Sequence, residues 1–247
     1  MRGRFYLAAA VALAPLAATA APACPSAWMP MLRGAEWTYR NTAGERVTLQ
    51  VSGADSRNGF VIATIDTLAP VAAGEKSEGT GEPVLQTTFL CTADGLDLPF
   101  GEAVTAGRMR IETMKQEGTT LPTPAKLVPG ATWTSSRTLR ITAGDHISRS
   151  RIASTHTAGG MEKVETPAGT FDAMRIDVEL SVTSIVDSPR STSVAGSLLP
   201  TKGSSHQWFA KGVGLVKMTT EVSPVPGGGP GLPGASLELV HVSGTKR

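Results

Sequence analysis

This chain of 247 residues lacks the short motifs that mark most catalytic and metal sites. It contains no His-Glu-x-x-His, Cys-x-x-Cys or Gly-x-Ser-x-Gly sequence, so the common signatures of zinc peptidases, thiol redox proteins and serine hydrolases are missing. Asp145, His146 and Ser148 supply the residue types of a catalytic triad, but a polar hairpin turn explains them more simply. No metal-ligand spacing connects the four histidines, His146, His156, His206 and His241. We therefore expect a protein without enzymatic activity, metal or cofactor.

Long apolar runs are missing after residue 20, and the single run before it has the layout of an export signal. Arg2 and Arg4 precede the apolar stretch 5–18, and Ala18-Thr19-Ala20 has the small-x-small pattern of a cleavage site. A membrane anchor is the alternative, but these 14 residues, interrupted by Pro15, are fewer than the roughly 20 that a spanning helix needs. We predict a signal peptide over residues 1–20. The mature chain should have no transmembrane segment and should be periplasmic, envelope-associated or extracellular.

An excess of either charge is also lacking. The chain has 23 basic and 21 acidic residues, and removal of Arg2 and Arg4 with the signal peptide leaves 21 of each. A nucleic-acid or anionic-membrane partner therefore has no electrostatic basis. Arg137, Arg140, Arg149 and Arg151 lie on neighbouring predicted strands and could form a basic stripe, although opposite charges on adjacent strands are the simpler expectation.

Cysteine is scarce, since Cys24 and Cys91 are the only two in the chain. In an exported protein they could form one disulfide, which would contribute about 3–5 kcal/mol in the chain-entropy model. Two unpaired thiols, or a lipid on Cys24, are the alternatives. The residues before Cys24, Ala21-Pro22-Ala23, lack the large apolar side chain usually found three places upstream of a lipidation site. The disulfide is the preferred interpretation.

The sequence does contain segments in which apolar and polar residues alternate with a period of two. A turn at 166–169 is followed by Met174, Ile176, Val178 and further alternate apolar residues as far as Val182, a pattern typical of a half-buried strand. Similar short segments recur along the chain. We predict a mainly β protein with a single curved antiparallel sheet or half-open barrel and few or no helices. Residues 21–247 should form one domain, with a Gly/Pro-rich loop at 223–235.

One pentapeptide pattern occurs twice. Gly34-Ala35-Glu36-Trp37-Thr38 is matched by Gly130-Ala131-Thr132-Trp133-Thr134, at an offset of 96 residues. The pair could record two copies of one β-module that form a pseudo-symmetric cleft. It could equally be one way of starting a strand used twice, with glycine in the turn and tryptophan sealing the core.

Several segments together resemble a bacterial family of exported β-rich proteins of unknown function, the TapB-like proteins. They are the Gly-x-x-Trp-Thr-Tyr opening at 34–39, the Pro-Ala-Gly-Thr-Phe turn at 167–171, the Gly-x-x-Trp step at 130–133 and the segment 208–217, with its Gly-Val-Gly-Leu-Val-Lys end. The resemblance spans roughly residues 30 to 222. It implies a shape similar to the half-open barrels of lipoprotein carriers, and hence an apolar cleft, but it supplies no site residues.

Aromatic residues are few, at 5% of the chain, and they supply the candidate ligand contacts. Trp208, Phe209, Trp37 and Trp133 could line a ligand mouth, because aromatic rings provide much of a pocket's contact area. The competing interpretation is structural, with the same rings filling the core.

These observations favour a non-enzymatic secreted or cell-envelope protein that binds an apolar small molecule or lipid in a sheet-lined cleft. A structural or interaction module that contacts an envelope protein is the alternative. A secreted hydrolase comes third.

Overall fold

The described part of the chain is built from strands, because apolar and polar side chains alternate along it. This computed structural model describes residues 26–57, 60–68, 83–97, 103–106, 109–186, 201–222 and 235–245. Every regular element in these ranges is a strand: β1 (Glu36–Asn41), β2 (Arg46–Arg57), β3 (Phe60–Leu68), β4 (Pro83–Cys91), β5 (Gly95–Asp97), β6 (Ala103–Ala106), β7 (Met109–Gly118), β8 (Leu121–Pro122), β9 (Thr132–Ala143), β10 (His146–Thr166), β11 (Gly169–Val186), β12 (Thr201–Ala210), β13 (Gly214–Val222) and β14 (Ala235–Ser243).

All fourteen strands belong to one antiparallel sheet, in the order β6-β7-β9-β10-β11-β12-β13-β14-β1-β2-β3-β4-β5-β8. The last strand of the chain therefore pairs with the first, with Glu36 opposite Ser243. β4 is eleven places from β6 in this order, yet the two strands lie close together without sharing a ladder. The sheet must curve for its ends to approach. The prediction of a single curved antiparallel sheet is confirmed.

The β10–β11 hairpin is the longest in the sheet and contains the strand that the alternation predicted. Its turn is closed by Gly169, whose φ of +133° lies in a region that favours glycine. Met174, Ile176 and Val178 of β11 are buried. The side chains of Ile176 and Val178 define what we call the inner face of β7 and β9–β13; the alternate residues form the outer face.

The core fills one part of the inner side of the sheet. Its largest buried side chains include Trp37, Tyr39, Ile176 and Leu239, which come from strands far apart in sequence. Two polar groups of this core are satisfied by backbone carbonyls. The indole N–H of Trp37 donates to Val213 O at 2.6 Å, and the hydroxyl of Tyr39 donates to Leu215 O at 2.9 Å. Burial raises the pKa of the Tyr39 hydroxyl far above its usual value.

The repeated pentapeptide has the same geometry in both copies. Gly34 and Gly130 have φ angles of +82° and +84°, and each donates its N–H to a neighbouring strand at 2.8 Å, to Val51 O and Ala158 O. The copies differ in the tryptophan that follows, because only Trp37 has a partner for its indole N–H. Whether the two copies record a duplication stays a hypothesis.

Three predictions concern residues that the structure does not describe. The signal peptide at 1–20 lies outside the described residues, as does Cys24. The Gly/Pro-rich loop also lies outside them up to residue 234, and β14 begins at Ala235. In the parts of the chain that the structure describes, no helix has the length and apolarity needed to cross a membrane.

Candidate functional site

A hollow opens on the inner face beside a row of mostly small residues that crosses the sheet; Ser135, Ser154 and Leu180 belong to this row and line the hollow. Gly118, Ser135, Ser154, Leu180 and Gly203 form one row across five neighbouring strands, from β7 to β12. Four of these five positions carry no side chain or only a hydroxymethyl group, so the row does not fill the space that a core row would fill.

This hollow, which we call the inner cavity, has a volume of about 290 Å³. It lies beside the core, since Val178 belongs to both. Its lining includes the side chains of Gln116, Arg137, Ile152, Ser154, His156, Leu180, Ser205, Gln207, Met218 and Thr220. The lining is therefore apolar along part of its wall and polar along the rest.

Arg137 supplies a positive charge to the inner cavity. In the register of the sheet it lies between Gln116 on β7 and Ile152 on β10. Burial lowers the pKa of its guanidinium below the usual value, although an arginine stays charged in proteins. Among the described residues that line the inner cavity there is no aspartate or glutamate. A desolvated cation without an opposite charge is costly, and such a site favours an anion.

His156 lies deeper on the same face and is 8% exposed. Its ring stacks on that of Trp133 with centroids 5.0 Å apart and planes 3° apart, and its Nε2 lies 3.1 Å from Ser135 Oγ. Burial lowers the pKa of His156 to about 4, so the imidazole is neutral at pH 7. The positive charge of the cavity therefore comes from Arg137 alone.

Polar atoms without partners collect around this cavity. Ser205 Oγ and Gln116 Oε1 are buried atoms of cavity-lining residues that have no hydrogen-bond partner, and the indole N–H of Trp133, next to His156, is a third. Native structures rarely leave such atoms unpaired, and each one calls for water or a ligand group. Three of the five unpartnered buried atoms among the described residues belong to this one region.

The four aromatic residues predicted as ligand contacts do not come together at one place. Trp37, with 0% exposure, and Phe209, with 7%, belong to the core. Trp133 stacks on His156 beside the inner cavity. Trp208 lies on the other face of β12 from Phe209, because successive side chains alternate between faces, and it is half-buried against the edge of the core.

Trp208 takes part in a polar network on the outer face. Its indole N–H donates to Glu162 Oε2 at 2.9 Å, and Arg175 donates to Glu162 Oε1 at 3.2 Å. Arg175 also forms a two-bond pair with Asp177, whose Oδ1 lies 2.5 Å from His206 Nδ1. Burial raises the pKa of the Asp177 carboxyl, but the hydrogen bonds and charges of Arg175 and His206 together outweigh it and hold this pKa below its usual value. All members except Glu162 lie on β11 and β12, so the network ties these strands together.

A second, larger hollow has most of its lining on the outer face of the same strands and shares Ser135, Ser136, Ser154 and Leu180 with the inner cavity. This outer groove has a volume of about 780 Å³. Its lining carries charges of both signs, on β7 and on β10 to β13: Glu117, Arg151, Glu179, Lys202 and Glu221. The four arginines considered for a basic stripe are divided between the two faces, because Arg140, Arg149 and Arg151 are exposed and Arg137 lines the inner cavity. The outer groove contains opposite charges on adjacent strands, which was the simpler expectation.

The residues considered for a hydrolase do not form a site. Asp145 lies exposed in the β9–β10 turn, His146 lies exposed at the start of β10, and neither they nor Ser148 line either hollow. Within the described ranges, no group of three or more His, Cys, Asp or Glu residues could hold a metal ion. Cys91 ends β4, is 2% exposed and is not a free thiol. Its pairing with Cys24 stays a prediction.

Sequence reasoning missed the inner cavity, although one signal for Arg137 was present. Along β9, Arg137 has the same parity as Trp133, Leu139 and Ile141, so alternation places it on the face that those apolar residues bury. A charged residue in such a series marks either an error of register or a site. Ser205 and Gln116 gave no such signal. Gln116 is brought to Arg137 only by the pairing of β7 with β9, and Ser205 lies on β12, three strands away from β9 in the sheet.

The fold occurs in solved structures of bacterial proteins. A candidate exported protein with a YmcC-like fold from Bacteroides fragilis NCTC 9343 matches with a TM-score of 0.50 and 15% sequence identity, over 87% of this chain and 98% of the other. At this identity the likeness shows the fold alone. A candidate lipoprotein from Parabacteroides distasonis ATCC 8503 (TM-score 0.45, 12% identity, 87% and 98% coverage) and the hypothetical lipoprotein YmcC from Escherichia coli K12 (0.36, 10%, 85% and 87%) are more distant.

The chain belongs to the DUF3108-like family, whose model matches residues 84–221, more than half of its length. No curated protein matches the sequence. The family has no assigned function, which agrees with the resemblance to exported proteins of unknown function. The narrower TapB-like resemblance stays a prediction.

Proposed function

We propose that this chain is a non-enzymatic exported protein of the cell envelope that holds the apolar part of a small amphipathic molecule or lipid in the inner cavity. The observation that carries the proposal is the composition of one wall. Ile152, Leu180 and Met218 line a hollow of about 290 Å³ beside the core instead of packing into it. Ligand sites are typically concave, largely apolar and about 300–1,000 Å³ in volume, so this cavity suits a small ligand or one short segment of a longer chain.

The energetics support an apolar ligand of modest size. Each methylene removed from water contributes about 0.8 kcal/mol, so six methylenes would contribute about 5 kcal/mol before the loss of translational freedom. The predicted signal peptide supports a location in which such a ligand would be a lipid or another envelope amphiphile. The resemblance to lipoprotein carriers supports the same ligand class.

A second candidate function is an interaction module that contacts an envelope protein. The outer groove favours it, because its alternating charges, such as Arg151 between Glu117 and Glu179, would suit a partner surface of complementary charge. Cross-linking in cells distinguishes the two functions. A defined cross-linked protein, lost when Arg151 and Lys202 are replaced by serine, would favour the interaction module.

The ligand-binding proposal is tested with a neutral fluorescent probe, N-phenyl-1-naphthylamine, and two neighbouring substitutions. Ile152→Trp places a large ring in the inner cavity, whereas Ala153→Trp places the same ring in the outer groove. We expect saturable fluorescence enhancement with the wild-type protein, at least a tenfold weaker dissociation constant for Ile152→Trp, and no comparable change for Ala153→Trp. Native mass spectrometry of the freshly purified protein should show bound lipid. Absence of both saturable probe binding and co-purified lipid would refute the proposal.

A further inference from the structure

We propose that the polar end of the inner cavity is an anion subsite, in which Arg137 binds the negatively charged head group of an amphipathic ligand. The inference rests on the proposed function and specifies its ligand class: a molecule with one apolar chain and one anionic oxygen head group, either a carboxylate or a phosphate. The apolar chain lies along Ile152, Leu180 and Met218, and the head group lies against the guanidinium.

The first argument is the charge balance of the two faces. The outer groove has glutamates beside its basic residues, among them Glu117, Glu179 and Glu221. The inner cavity has one guanidinium, one buried neutral histidine and no carboxylate among its described lining residues. In the described part of the chain, Arg137 also has no hydrogen bond or ion pair to any side chain. No described residue therefore supplies its opposite charge, and a bound anion would do so.

The second argument is the geometry of the hydrogen-bonding groups. A guanidinium offers a planar set of N–H donors that suits carboxylate and phosphate oxygens. Ser205, which is 4% exposed, has an unpartnered hydroxyl at the same cavity. Its O–H is available as a further donor to a head-group oxygen. Gln116, which faces Arg137 across the strand pair, has a buried acceptor that a head-group hydroxyl or a water would satisfy.

The third argument is the position of Arg137 relative to the apolar wall. Ile152 is its direct cross-strand neighbour on β10, and Leu180 is one row further on β11. Cationic and apolar groups are therefore adjacent on one surface. A fully polar anion such as inorganic phosphate would contact only the cationic group, and a hydrocarbon would contact only the apolar groups. An amphiphile with an anionic end uses both.

The test compares ligands that share one chain and differ in the head group. Dodecanoate, dodecyl phosphate and 1-dodecanol are each titrated against protein loaded with N-phenyl-1-naphthylamine, and displacement of the probe gives their dissociation constants. We expect at least one of the two anions to bind about 10- to 100-fold more tightly than the alcohol, the range typical of a hydrogen bond to a charged group. The stronger anion identifies the head group.

Arg137→Met removes the charge at similar side-chain length, and it should reduce the anion preference to within about threefold of the alcohol. Arg137→Lys keeps a positive charge and should retain part of the preference. Arg140→Met, an exposed arginine on the same strand, is the matched control and should leave the preference unchanged. Replacing a buried charge by an apolar group is often neutral for folding, and circular dichroism checks this for each variant.

The outcomes separate this inference from the function on which it rests. If dodecanol binds as tightly as both anions, or if Arg137→Met keeps the preference, the anion subsite is refuted and apolar binding stands. If none of the three ligands displaces the probe, or if the probe does not bind, the proposed function fails together with the subsite. An equal loss of preference in Arg140→Met would mean that general surface charge, not the cavity, selects the anion.

Discussion

The folding stability of this protein should depend on the protonation of His156. The folded chain holds this imidazole against Trp133 and Ser135, where burial lowers its pKa to about 4. In the unfolded chain the same group has a pKa near 6.5. Between these two values the unfolded state binds a proton that the folded state does not. Stability is therefore unaffected by this group above about pH 6.5 and decreases as the pH falls toward 4.

The magnitude follows from the difference between the two pKa values. One unit corresponds to about 1.4 kcal/mol, so the full difference amounts to about 3 kcal/mol. About 2 kcal/mol of this should already be lost at pH 5. The other charged group that lines the cavity is the cation Arg137, so no carboxylate among the described lining residues compensates an imidazolium there.

The assay is urea unfolding followed by tryptophan fluorescence at pH 7.5 and 5.0. Other titrating groups change the stability of every variant, so the informative quantity is the difference between wild type and His156→Gln. His156→Gln should be about 1 kcal/mol less stable at pH 7.5, because it loses a hydrogen bond and a ring stack. Between pH 7.5 and pH 5.0, the unfolding free energy of His156→Gln should rise by about 2 kcal/mol relative to that of wild type.

The control is His241→Gln, which changes an exposed histidine of β14 and should keep the wild-type dependence on pH. Parallel changes in wild type and His156→Gln between the two pH values would refute the reasoning. Such a result would mean that His156 is protonated in the folded state or accessible to water, and the inner cavity would then be wetter than its burial indicates.

Three further predictions concern the sheet and its core. Gly118 has a φ of +71°, and an added Cβ would overlap the backbone oxygen of Thr134. Gly212 has a similar φ of +76°, but an added Cβ there would meet no other atom. Gly118→Ala should therefore lower the unfolding free energy by about 2 kcal/mol more than Gly212→Ala. Trp37→Phe should cost about 2–3 kcal/mol in urea unfolding, because it leaves a void and an unpaired backbone carbonyl in the core. If the two cysteines pair, the denatured protein should take up no iodoacetamide before reduction and two equivalents after it, and Cys91→Ser should cost about 2–5 kcal/mol.

Alternation within single strands was sufficient to predict the class of fold. The buried positions of β11, from Met174 to Val178, are those that the period of two selected. β10 was harder, because Gly159 and Gly160 interrupt the pattern and suggest a break. The structure continues the strand through them and places an irregularity in the register between Ala158 and Met161. Local propensity does not reveal this, since only pairing with β11 keeps the strand extended.

The site required information that a single strand does not contain. The scarcity of aromatic residues led us to predict Trp37 and Phe209 as ligand contacts, but both belong to the core. Large rings suit a core when they have no polar atom, as in Phe209, or when that atom is hydrogen-bonded, as in Trp37. The inner cavity arises instead from small residues in one row, such as Ser135 beside Ser154. These positions are far apart in sequence, and their coincidence depends on the register of strands that only the folded sheet fixes.

Along the inner face of β10, the side chains change from mostly small and polar ones to residues of the core. We interpret the first part of the strand as serving binding and the second as serving stability. Ser150, Ile152, Ser154 and His156 occupy successive inner positions, and Ala158 after them belongs to the core. A sheet selected only for stability would place larger apolar side chains at the serine positions, because each would bury more surface. Small polar residues at these positions give up that packing energy, while the tightly packed core around Trp37 and its neighbours stabilises the sheet. The half of the sheet that is poorly filled is therefore the half that is free to hold something else.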